Sequence, residues 1–150
     1  MSIQVQAMNR VNSFFESYAQ ALENFDTKAM AQHYSLPCTF LADDSAQVFT
    51  EASKLEGLFN QGTMFYKQFG ITYARPDIWG KRAWSDRIIK VKLNWQYFDK
   101  NKKPVYDCDY NYILRLDKHD NWKIEVAVSI NEKENMEAWQ ASRKIAERIA

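Results

Sequence analysis

Between residues 87 and 130 lie three successive runs that alternate apolar and polar residues, and they constrain the fold more than any other feature. In the first, Ile89, Val91, Leu93, Trp95 and Tyr97 alternate with Lys90, Lys92, Asn94 and Gln96. In the second, Tyr106, Cys108, Tyr110, Tyr112, Leu114 and Leu116 alternate with Asp107, Asp109, Asn111 and Arg115. In the third, Trp122, Ile124, Val126, Val128 and Ile130 are the apolar set. A period of two gives each strand one buried and one wetted face. These runs predict a curved antiparallel sheet with an aromatic inner face. Inward residues are odd-numbered on the first strand and even-numbered on the second, so facing residues have an odd index sum. A two-residue turn at Asn101-Lys102 meets that condition and pairs Trp95 with Cys108, Leu93 with Tyr110 and Val91 with Tyr112.

The rest of the chain supplies helices to cover that face. Met8, Val11, Phe14, Phe15, Tyr18, Leu22 and Phe25 form one stripe of an amphipathic helix over residues 6–25. Asp26 suits the N-cap of a short helix over 27–33, and Leu36-Pro37 ends it. Short strands follow at 38–42, with Cys38 and Phe40 inward, and at 47–50. A third helix over 51–69 carries Leu55, Leu58, Phe59, Phe65 and Phe69 on its apolar side, with Gly70 as its stop. Residues 71–84 read as an edge strand bent or bulged near Pro76 and Gly80. Residues 131–150 form a last helix, which Met136, Trp139, Ile145 and Ile149 dock.

At 150 residues the chain has the size of one domain. Twenty basic residues nearly balance nineteen acidic ones, so no field recruits nucleic acid or an anionic membrane. The basic run Lys100, Lys102 and Lys103 falls at a hairpin tip, where it is a solvated turn. Residues 1–10 lack a basic-then-apolar signal pattern, and no apolar run has membrane-spanning length. Cys38 and Cys108 are not spaced as a metal pair and read as reduced, buried thiols. A cytoplasmic protein is expected, with a processed periplasmic one left open.

In this order the chain resembles the nuclear transport factor 2-like superfamily, which includes ketosteroid isomerases, polyketide cyclases and scytalone dehydratase. The resembling residues are Phe14-Phe15, Tyr18-Ala19-Gln20-Ala21-Leu22, Asp26-Thr27-Lys28-Ala29-Met30, Thr39-Phe40-Leu41, and Tyr112-Ile113-Leu114-Arg115-Leu116 through Trp122-Lys123-Ile124. The match spans residues 11–130. It implies one α+β domain over 1–150, its sheet curled like a cone around three helices. The core would cover about 6–130 and a helical extension about 131–150. A shared fold does not carry a shared function.

The ketosteroid isomerase pattern requires a first-helix tyrosine, an aspartate base after the first strand and a protonated aspartic acid on a later strand. By resemblance the tyrosine is Tyr18, the base position falls on Ala42 and the second acid on Tyr112. Alanine takes no proton, so steroid isomerisation is not expected. Asp43, beside Ala42, sits with Asp44 at a turn. A scytalone dehydratase-like site would draw on His33. Catalytic candidates are thus Tyr18, Tyr112, His33 and Asp43. Phosphate-loop, serine-elbow and zinc spacings are missing, so neither cofactor nor metal is implied.

The predicted pocket is Tyr18, Phe40, Phe59, Trp95, Tyr110 and Tyr112. Aromatic walls with a few hydroxyl tips suit a small apolar or aromatic ligand. The leading expectation is such a binder. The alternatives are a cofactor-independent lyase or isomerase using Tyr18 and Tyr112, and an interaction module whose cone its own side chains fill. Ile88, Phe98 and Ile113 on the outer sheet face, with Ile78, Trp79 and Trp84 nearby, predict a homodimer through that face.

Overall fold

The computed structural model describes residues 5–149, so positions 1–4 of the signal-pattern reading and Ala150 of the last helix lie outside the described residues. The elements follow as α1 (Val5–Glu23), α2 (Thr27–Ala31), β1 (Tyr34–Ala42), β2 (Ser45–Phe49) and α3 (Ala52–Gln68). After them come β3 (Ile71–Ala83), β4 (Ile88–Asp99), β5 (Pro104–Leu116), β6 (Trp122–Ser129) and α4 (Glu132–Ile149). All six strands form one mixed sheet in the order β2-β1-β6-β5-β4-β3. It is antiparallel except where β1 runs parallel to β6. Helices α1–α3 cover one face, and their buried side chains join those of the strands in one core. Among the described residues no helix is long and apolar enough to cross a membrane.

The central hairpin has the register its alternation predicts: Trp95 faces Cys108, Leu93 faces Tyr110 and Val91 faces Tyr112. Its turn is longer than predicted. Asp99 N–H donates to Lys103 O at 2.9 Å and Lys102 N–H to Asp99 O at 2.9 Å, with Lys102 at φ 61°. The loop therefore holds Lys100–Asn101–Lys102 rather than two residues. Near the tip Phe98 faces Pro104, whereas further in Gln96 faces Asp107. One extra β5 residue between these pairs restores the odd sum. That bulge is why Val105 and Tyr106 are both buried.

Strand β6 departs from its predicted phase. Ile113 faces Val126 but Leu114 faces Ile124, so Glu125 is an extra residue on β6. Trp122 and Ile124 keep their inward places. Beyond the bulge Ala127 opposite Tyr112 and Ser129 opposite Tyr110 turn inward, while Val126 and Val128 face out. Ile130 lies beyond the strand and is exposed. Two small residues thus replace two valines on the concave face.

Three helical expectations also shift. Helix α2 ends at Ala31, and β1 already runs from Tyr34 through Leu36-Pro37, a cis peptide bond, rather than from residue 38. The Asp26 carboxylate caps α2 by accepting from Ala29 N–H at 3.0 Å. Helix α3 continues through Gly62 and stops at Gly70, whose φ of 75° favours glycine. On its apolar side Leu55 and Phe59 are buried, but Phe65 is exposed. Helix α4 docks through Trp139, whose ring lies 5.0 Å from that of Phe69. Ile145 and Ile149, predicted to share that docked face, are exposed, because at about 3.6 residues per turn they lie on the side of the helix away from Met136. The edge strand β3 bears its bulges beside Tyr73 and Gly80.

Candidate functional site

The inner face leaves a cavity of about 340 Å³ unfilled. Every element except β3 contributes to its wall. All six predicted pocket residues line it: Tyr18 from α1, Phe40 from β1, Phe59 from α3, Trp95 from β4, and Tyr110 and Tyr112 from β5. The space exists because small residues meet there. Ala42, Gly62, Ala127 and Ser129 line the wall, two of them brought inward by the β6 bulge.

Burial forces the cavity's hydroxyls to find partners among themselves. The Tyr18 and Tyr34 hydroxyls lie 2.8 Å apart. Trp95 Nε1–H donates to the Tyr112 hydroxyl at 2.8 Å, and the Tyr66 hydroxyl to that of Tyr97 at 3.3 Å. Loss of hydration by burial is the largest cause pushing the Tyr18, Tyr34, Tyr66, Tyr97, Tyr110 and Tyr112 phenols upward. These groups stay protonated and offer donors, not bases.

Among the described residues the one carboxylate in the wall is Glu132, in the first turn of α4. Its Oε1 accepts from the Tyr110 hydroxyl at 2.5 Å, and its Oε2 accepts from the Tyr106 hydroxyl at 3.1 Å. The Cys108 thiol approaches Oε2 at 3.6 Å. Among the described residues no Lys, Arg or His forms an ion pair with it. The start of α4 is held by β5. Asn131 Oδ1 accepts from Asp109 N–H at 2.8 Å, and Asn135 Nδ2 donates to Asp107 O at 2.9 Å. Lys133 reaches Asp44 at 3.3 Å, tying the β1–β2 turn to α4. Glu132 also lines two smaller hollows beside the cavity, so it stands where the interior meets the surface.

Sequence reasoning missed Glu132 and Tyr34. An acidic residue in a first helical turn ordinarily answers the helix dipole, and nothing local marks this one as aimed at a cavity. Tyr34 lies before Cys38, where the sequence predicts the strand to begin. Tyr66 was missed although it lies seven residues after Phe59 and so on the same helical face; the stripe took in its neighbour Phe65, which is exposed.

The four catalytic candidates separate in space. Tyr18 and Tyr112 face the cavity. His33 lies behind its wall: Nδ1 sits 2.7 Å from Ala29 O, Nε2 sits 3.0 Å from Ser17 Oγ, and the ring packs 5.4 Å from that of Tyr18. Burial is the first cause holding the His33 imidazole below its usual range. Asp43 is exposed at the β1–β2 turn and lines an adjoining hollow, not the cavity. Ala42, where the resemblance would put the isomerases' base, does line it. Cys38 and Cys108 are buried and free, and burial pushes the Cys38 thiol to about 11. Among the described residues no group of three His, Cys, Asp or Glu side chains is arranged to hold a metal. Chemically the wall offers aromatic faces, neutral donors and one carboxylate that can accept a proton or receive a cation.

Residues 8–132 match the family described as NTF2-like protein (DUF6841). Curated proteins give no match. Among solved structures, a domain of unknown function with a cystatin-like fold from Nostoc punctiforme superposes with a TM-score of 0.70 at 10% identity, covering 97% of this chain and 98% of that one. An NTF-2 like protein of unknown function from Shewanella oneidensis gives 0.67 at 12% identity, covering 82% and 98%. A ketosteroid isomerase-like protein from Erwinia carotovora atroseptica gives 0.63 at 12% identity, covering 85% and 97%. At such identities the likeness is one of fold.

Proposed function

The chain belongs to the NTF2-like protein family (DUF6841), and we propose that it binds a small apolar or aromatic molecule in the cone cavity, using its own side chains alone. The observation that carries this reading is the aromatic-walled space of about 340 Å³ between the helices and the inner face of the sheet. A volume in that range, mostly apolar with a few fixed polar groups, suits a small organic ligand. It supports a binder over an interaction module whose cone is packed shut. N-phenyl-1-naphthylamine, a neutral aromatic reporter, tests it. Its emission should rise saturably, with energy transfer from the tryptophans that Trp95→Phe lowers. A linear, unsaturable rise across the protein concentrations used would defeat the reading.

A second reading, a cofactor-independent lyase or isomerase, draws support from Glu132. That carboxylate is a proton acceptor on the cavity wall, with the protonated Tyr18 and Tyr112 hydroxyls on the same cavity as donors. It differs from the isomerase arrangement, in which the base follows the first strand where this chain has Ala42. Tyr18→Phe would then lower turnover about tenfold to a thousandfold, as for one lost oxyanion donor.

For assembly, we propose a homodimer through the outer sheet face. The β6 bulge adds Val126 and Val128 to Ile88, Phe98 and Ile113 there. Among them the buried Asn111 Oδ1 has no hydrogen-bond partner among the described residues, and a partner surface would supply one. A monomer by light scattering at micromolar concentration would defeat this proposal.

A further inference from the structure

Resting on the binding reading above, we propose that the cavity's ligand carries a cationic nitrogen, an ammonium group on an aromatic or apolar body, which Glu132 receives. The sign of the site comes first. Among the described residues the wall holds one charged side chain, Glu132, and no Lys, Arg or His. The three donors around that carboxylate, from Tyr106, Tyr110 and Cys108, are neutral. They hydrogen-bond it but do not cancel its charge. A negative charge beside apolar walls, partly shielded from water, repels an anionic ligand and attracts a cation.

The geometry of the remaining lone pairs agrees. Oε2 is already taken by the Tyr106 hydroxyl and approached by the Cys108 thiol, whereas Oε1 has one hydroxyl donor, from Tyr110. A carboxylate oxygen accepts two, so Oε1 keeps a site for an N–H of the ligand. The aromatic walls act in the same direction. The stacked Tyr110 and Tyr112 rings, 5.3 Å apart, lead from Glu132 towards Trp95, and π faces attract cations. A carboxylate at one end of an aromatic channel matches a molecule with an ammonium group at one end of a ring system.

Calorimetry on the full chain with three probes of matched shape tests this. Tryptamine is cationic, tryptophol is its neutral isostere, and indole-3-acetate is anionic. Tryptamine should bind the wild type at least about tenfold more tightly than tryptophol, the scale of one cation–π contact plus one charge-assisted hydrogen bond. Indole-3-acetate should bind most weakly. In Glu132→Gln, which keeps an acceptor oxygen for Tyr110, the preference should fall below about threefold. The wild-type ranking decides by itself should that variant misfold. Tryptophol or indole-3-acetate binding as well as tryptamine would overturn the proposal. So would a cationic preference that survives in folded Glu132→Gln. Saturable binding of N-phenyl-1-naphthylamine that tryptamine does not displace would overturn the ammonium assignment and leave the aromatic pocket standing. Failure of the reporter and of all three probes would overturn the binding reading itself.

Discussion

Replacing Tyr18 by phenylalanine removes one oxygen and keeps the ring that packs 5.5 Å from Trp95. The lost hydroxyl is bonded to that of Tyr34 at 2.8 Å, and the two residues are 5% and 6% exposed. Because water does not freely replace the missing partner, the Tyr34 hydroxyl bears the cost. A net hydrogen bond is worth about 1 kcal/mol, and stranding a buried polar group adds to it, so about 1–2 kcal/mol of stability should go. In a chain of this length that lowers the melting temperature by about 3–6 °C. Phenylalanine at position 34 as well removes both polar atoms together. The double variant should therefore lose less than the sum of the singles, with a coupling of about 1 kcal/mol. Thermal and urea unfolding of the wild type, Tyr18→Phe, Tyr34→Phe and the double variant measure it. Additive losses, or a Tyr18→Phe effect under about 0.3 kcal/mol, would show that the two hydroxyls are separately hydrated and would refute the dry pair.

Ala127→Leu should fill cavity space without large strain, costing under about 1.5 kcal/mol while abolishing reporter binding, and unfolding curves paired with titration check both. Leu93→Ala, at a fully buried position in the same sheet, should instead cost about 2–5 kcal/mol in urea unfolding. For pH, His33 has a folded pKa below its unfolded value near 6.5, so the unfolded chain takes up a proton first as pH falls. Stability contributed by neutral His33 is present above pH 6.5 and is lost below it towards the folded pKa. Melting temperatures from pH 7.5 to 5 should fall more steeply for wild type than for His33→Gln. Turnover of a Δ5-ketosteroid should be undetectable, since Ala42 takes no proton; measurable isomerisation would contradict the assignment of that position.

Local pattern carried the fold far. Strands β4 and β5 pair with each other, and alternation plus parity was enough to set which residues face inward. Strand β6 shows where that logic stops. Trp122 to Ile130 alternates cleanly in sequence, yet its inward set is decided by pairing with β5 on one side and parallel β1 on the other. A single extra residue at Glu125 reverses the phase. The cavity depends on that reversal, so no count of aromatic residues along the chain could separate a filled cone from a hollow one. The aromatic wall was legible because its members sit on regular strands and helices. Glu132 was not, because its role comes from α4 starting beside Tyr106, Cys108 and Tyr110, which is a tertiary fact.

The central claim, that the cone is hollow and takes an aromatic ligand inside, can be read from the five tryptophan indole N–H resonances. Trp95 Nε1–H points at the Tyr112 hydroxyl in the cavity wall, while Trp79 and Trp84 are exposed, Trp122 donates to Ala7 O and Trp139 packs on Phe69. In a nitrogen–proton correlation spectrum titrated with tryptamine, the Trp95 signal should shift saturably while those of Trp79, Trp84 and Trp122 stay in place. Shifts confined to Trp79 and Trp84, with Trp95 unmoved at saturation, would contradict the account.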